Sequence, residues 1–225
     1  MRWLSVAGTT IFLIAGAMLA LRYNDDPAYT HRYRLAVEVA VDGEIRQGSS
    51  VIEVAVGEDS IPGRGRILTP KVRGEAVFVD LGEGRNVVAL LSFPPRSGGL
   101  PPIEPYMLAR AAFDPPPHTN GIESYQKLAT MRGRTDLAGA LMPRLVKFAD
   151  TADPMVVHEI EAGKLQAHFG ERIRLERVSI ELTSDEPTSG IERRLPWIAH
   201  PERYRTDPRN PATWKPKVRL DELKR

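Results

Sequence analysis

Tyr33-Arg34-Leu35-Ala36-Val37-Glu38-Val39-Ala40-Val41, followed at once by Asp42-Gly43, is the stretch that decides the fold. Tyr33, Leu35, Val37, Val39 and Val41 alternate with Arg34, Ala36, Glu38 and Ala40. That period of two sends successive side chains to opposite faces of a half-buried strand. Asp and Gly both accept positive φ, so Asp42-Gly43 is the signal for a tight hairpin turn. The return strand runs through Ile52, Val54 and Val56.

Downstream, Val77, Phe78, Val79 and Leu81 lead to Gly82-Glu83-Gly84-Arg85-Asn86 and back through Val87, Val88, Ala89, Leu90 and Leu91, a second hairpin. Its return run is apolar at every position, as expected of a strand buried on both faces at the centre of the sheet, with a short helix as the alternative that periodicity alone leaves open. Pro94, Pro95, Pro101, Pro102 and Pro105 then exclude a central strand. Helices are predicted over 106–113 and 122–131, the latter with Ile122, Tyr125, Leu128 and Met131 along one face and Asn120 as its cap. A short helix carrying Leu165 and Phe169 stops at Gly170. Strands are predicted over 145–148 and 172–183, and the inward phase changes from Ile173 and Leu175 to Val178, Ile180 and Leu182, so a bulge belongs at Glu176-Arg177. The body, residues 31–190, reads as an α+β domain whose main element is an antiparallel sheet, with the 94–133 region covering one face or edge.

Upstream of the body, residues 24–30 form a polar tether, and the nineteen residues from Trp3 to Leu21 carry no charge. A helix rises about 1.5 Å per residue and the hydrocarbon core is about 30 Å thick, so this run fits a single transmembrane pass. A cleaved secretory signal ending near Ala15-Gly16-Ala17 is the alternative, which would leave a secreted periplasmic binding protein. Arg22, Arg32 and Arg34 after the segment argue for a cytoplasmic body, whereas a segment beginning at residue three resembles a signal sequence. Export is the favoured reading: an inner-membrane, single-pass protein with a periplasmic domain.

The 225-residue chain has no cysteine, which excludes disulfides, thiolate catalysis and zinc–cysteine sites. Its net charge of +2 argues against a nucleic-acid partner. That total conceals an asymmetry, because residues 191–225 hold ten Lys or Arg against five Asp or Glu, and five prolines. In this basic, proline-rich tail, Arg193, Arg194, Trp197, Tyr204, Arg205, Trp214, Lys215 and Lys217 interleave cations with aromatic faces, the chemistry that meets an anionic lipid surface or an acidic envelope protein. Leu195, Trp197 and Ile198 are expected to dock on the body, with the chain beyond Tyr204 free.

Catalytic and metal signatures are weak. His31, His118, His158, His168 and His200 are scattered without a ligand pair at i, i+4, no serine sits in a nucleophile elbow, and no cofactor is implied. Gly63-Arg64-Gly65-Arg66 lacks the ending of a nucleotide loop and reads as a solvated loop. The alternative to a binding or assembly role is an envelope hydrolase using sequence-distant carboxylates, for instance Glu53 and Glu181 on neighbouring strands.

The motifs Tyr33-Arg34-Leu35-Ala36-Val37-Glu38-Val39, Gly48-Ser49-Ser50-Val51-Ile52-Glu53-Val54 and Gly190-Ile191-Glu192-Arg193-Arg194-Leu195-Pro196-Trp197 resemble an uncharacterised family of small, membrane-anchored proteobacterial proteins. The resemblance implies a bacterial source and carries over no activity, cofactor or catalytic residue.

Overall fold

The computed structural model describes residues 29–61, 65–113, 122–204 and 218–225. β1 (Tyr29–Val41) and β2 (Glu44–Ile61) form the expected hairpin, with Val41 opposite Glu44 and Asp42 and Gly43 at φ 52° and 90°. β3 (Gly65–Arg73), β4 (Val77–Gly82), β5 (Arg85–Ala89), α1 (Pro105–Phe113), α2 (Ile122–Thr130), β6 (Gly133–Asp136), β7 (Leu145–Asp150), β8 (Asp153–Ile160), α3 (Leu165–Phe169) and β9 (Ile173–Thr183) follow.

Two antiparallel sheets result, where the sequence reading had one. The first has the order β3-β2-β1-β9-β6 and the second β4-β5-β7-β8. They meet through glycine. A Cβ on Gly48 of β2 would lie 2.3 Å from the Phe78 carbonyl oxygen of β4, and one on Gly74, at φ 151°, would lie 3.0 Å from the Ile52 Cα. Only residues without a Cβ let these backbones approach so closely. β9 carries the expected bulge, since Glu38 pairs with Arg177 and Val39 with Leu175, leaving Glu176 without an opposite number.

The main core lies between the sheets. Val37, Val39, Ile52 and Val54 from the first sheet and Val79, Val87 and Leu145 from the second are buried in one cluster, which Leu108, Tyr125 and Leu128 of α1 and α2 also enter. The Tyr33 hydroxyl donates to the Pro105 carbonyl at 2.9 Å and ties the proline-rich connection to β1. β5 is buried on both faces, as its apolar run predicts: Val87 and Ala89 face this core, while Val88 and Leu90 face a second one.

That second core is built by the tail. Ile191, Leu195, Trp197 and Ile198 cover the outer face of the second sheet over Val88, Leu90, Val146 and Phe148. Burial of such side chains contributes roughly 1.5 to 3 kcal/mol each, enough to outweigh the ordering of a few residues. Docking at this segment agrees with expectation. The far end departs from it, because Val218 and Leu223 are buried in the same cluster and the backbone of Ala76 donates to Leu223 and that of Leu91 to Glu222. Residues 218–225 are therefore a strap on the domain and not a free end. β3 also corrects the sequence reading, since Gly65 and Arg66 belong to a strand. The transmembrane expectation falls on residues 1–28, outside the described residues. No helix among the described residues is long and apolar enough to cross a membrane.

Candidate functional site

The tail also shapes a groove. The Glu75 carboxylate, 2% exposed, accepts the backbone N–H groups of Gly190 and Ile191, both at 2.9 Å, and so fixes the chain where it leaves the first sheet for the second. Gly190 is at φ 108°, a left-handed conformation that favours glycine. Ile191 and Leu195, four apart, turn inward, which leaves Arg193 and Arg194 on the outer side of the turn.

There the two arginines line a groove of about 700 Å³ with Phe78, Asp80, Arg85 and Asp150. The Arg194 guanidinium lies 5.7 Å from the centroid of the Phe78 ring and 3.4 Å from the Asp80 carboxylate. Arg85 is paired with Glu83 at 3.0 Å. Arg193 is exposed and has no ion pair among the described residues. The floor is rigid, because the buried Asn86 amide donates to the Phe148 carbonyl and accepts from the Phe148 N–H, both at 2.9 Å. An unpaired guanidinium offers a planar fork of donors to a carboxylate or phosphate, and the neighbouring phenyl face offers apolar contact.

Of the residues singled out in the sequence, Arg193 and Arg194 come together here. Trp197 does not. It is 5% exposed, with its ring 6.2 Å from that of Phe148, so it belongs to the second core and not to a contact surface. Tyr204 ends the short turn Pro201–Tyr204. Arg205, Trp214, Lys215 and Lys217 lie outside the described residues. Phe78, Arg85 and Asn86 escaped the sequence reading, although the alternation of Phe78 with Val77 and Val79 already placed it on the opposite face.

The hydrolase pairing finds no support in the geometry. Glu53 on β2 and Glu181 on β9 are not on neighbouring strands, because β1 runs between them. Glu53 is also held at 2.7 Å by Arg32 and 3.0 Å by Arg73, so both its oxygens are occupied. Among the described residues, no group of three or more His, Asp or Glu side chains is placed to hold a metal ion.

A second recess, about 220 Å³, is lined by His31, Arg32, Met131, Arg132, Thr183 and Ser184. His31 is 4% exposed, between the rings of Tyr33 at 6.5 Å and Tyr125 at 5.9 Å, and neither ring nitrogen has a hydrogen-bond partner among the described residues. Burial lowers its pKa from 6.5 to about 4, so the imidazole is neutral at neutral pH.

The fold and groove define a two-sheet antiparallel α+β domain whose own C-terminal segment lines a groove of mixed charge. No protein-family model, curated protein or solved structure matches this chain.

Proposed function

We propose that this chain is a membrane-tethered bacterial envelope domain of the proteobacterial kind, exported to the periplasm on an inner-membrane anchor at residues 3–21, and that it binds a partner through the groove at Arg193 and Arg194. The partner is an extended, acidic segment of another envelope protein. The observation that carries this reading is the exposed Arg193, unpaired among the described residues, beside Arg194 over Phe78. A carboxylate can take the Arg193 fork while its neighbouring residue lies on the phenyl face. Asp80, Glu83 and Asp150 also line the groove, and these acids oppose a uniformly anionic surface more than a peptide whose charges are discrete. That favours a protein partner over lipid at this site. Catalysis is the weaker reading, since Glu53 and Glu181, one pair that could serve it, lie on strands separated by β1.

A photo-crosslinking residue placed at Glu83, on the rim of the groove, tests the proposal in cells. The expected result is one dominant adduct, lost when Arg193 and Arg194 are both changed to Glu. Adducts unaffected by the double change, or none, would contradict it.

A further inference from the structure

β2 outruns its partner. Tyr29, where β1 begins, lies opposite Val56, yet β2 continues to Ile61 paired only with β3, and the ribbon ends with Ile61 opposite Gly65. Five residues beyond Val56, at about 3.3 Å each, make an arm that projects about 17 Å past the end of β1. Because β1 and β2 are antiparallel, the chain that precedes Tyr29 leaves the sheet from the end toward which this arm points. Seven residues, 22–28, separate that point from the apolar run ending at Leu21. Even fully extended they span no more than about 29 Å. The projection of the arm, about 17 Å, is thus more than half of the most that those seven residues can span.

Its two faces differ. Leu68, opposite Glu58, packs toward the main core, while Ile67, opposite Asp59, is 36% exposed on the other face. Pro70 in β3 blunts that edge against pairing with a further strand. The arm is accordingly suited to contact through the face that carries Ile67 and not by strand addition.

We propose that the β2–β3 arm rests on the phospholipid headgroup layer of the membrane that holds the anchor, with Ile67 entering the interface. This inference rests on the anchored reading proposed above. It fixes the tilt of the domain, because a β-ribbon touching the bilayer beside a short tether gives two supports where the tether alone gives one, and an apolar side chain at the headgroup level gains burial without leaving the sheet.

The absence of cysteine makes the test clean, since one introduced cysteine labels one position. Ile67→Cys and, as the remote control, Ile45→Cys are each labelled with an environment-sensitive fluorophore in the full chain. Ile45 is exposed and lies fourteen residues along β2 from Asp59, the partner of Ile67, a distance of about 46 Å. The labelled chains are reconstituted in phosphatidylcholine–phosphatidylglycerol vesicles containing a quencher at headgroup depth. Quenching at least threefold greater at position 67 than at position 45 is the expected result. Equal quenching at both positions, or none at 67 while the chain floats with the vesicles, overturns the arm contact and leaves the anchor standing. A chain that does not float with the vesicles overturns both.

Discussion

Glu75 and Ile191 are joined by a 2.9 Å hydrogen bond from the Ile191 N–H to the buried Glu75 carboxylate, so the link between β3 and β4 holds the start of the C-terminal segment. Lys224, in the strap, reaches the same carboxylate at 3.4 Å and also pairs with Glu192. Three parts of the chain distant in sequence meet at one charge. Removing the buried carboxylate leaves the Gly190 and Ile191 N–H groups without their acceptor, at about 1 to 3 kcal/mol each, whereas Lys224, 37% exposed, keeps Glu192. Glu75→Ala is therefore expected to lower the urea midpoint by that order of stability. Glu192→Ala, which loses a largely solvent-screened pair, is expected to cost at most about 1 kcal/mol. Equal losses would show that Glu75 is not the point of attachment.

The strap has its own signature. Leu223 is fully buried and Val218 is 2% exposed in the second core. Leu223→Ala is expected to destabilise the domain by about 2 to 5 kcal/mol, as for other large-to-small changes in a packed core. A chain ending at residue 217 should lose at least as much, measured by the same urea titration. An unchanged midpoint would mean that residues 218–225 contribute nothing to the second core.

His31 makes stability depend on pH in one direction. Its folded pKa, about 4, lies below the ordinary 6.5, so the folded state favours the neutral ring. The unfolded chain binds the proton first. The contribution is fully present above pH 6.5 and is lost as the pH falls from 6.5 through 4, by about 3 kcal/mol in all. Arg32 and Arg132 line the same recess and add charge of the same sign as an imidazolium. Carboxylates held low by cations, such as Glu159 beside Arg144 and Glu192 beside Lys224, lose their contribution at lower pH, as it falls from about 4.5 through their depressed values, so the window above pH 4.5 isolates His31. His31→Phe should flatten the fall in urea midpoint between pH 6.5 and pH 4.5. An identical slope in both proteins would refute the assignment to His31.

Much of the fold was legible where side chains alternate against one core. The register of β1, the Asp42-Gly43 turn, the bulge at Glu176 and the double burial of β5 all follow from local periodicity and turn chemistry. β3 and β8 were not legible. The first is an edge strand that contains Pro70, and both carry mixed residues whose partners lie on another strand. The division into two sheets depends on the approach of Gly48 to the Phe78 backbone, a contact between positions thirty apart in sequence that no local pattern encodes. The tail was half legible. Leu195, Trp197 and Ile198 form a cluster that calls for burial, whereas Val218 and Leu223 are isolated among charged residues, and backbone bonds to Gly74, Ala76 and Leu91 hold their segment. For the groove, Arg193 and Arg194 could be singled out by charge, but Phe78 and Asn86 are supplied by the second sheet.

The central claim, a body displayed on the outer side of the membrane that anchors it, is tested most directly by one labelling measurement. Glu83→Cys places a single thiol on an exposed turn of an otherwise cysteine-free chain. Spheroplasts are treated with a membrane-impermeant maleimide and then washed at alkaline pH. The account expects full-length, labelled chain in the membrane pellet without permeabilisation. Label that appears only after the membrane is opened, or chain that leaves the pellet in the alkaline wash, would contradict it.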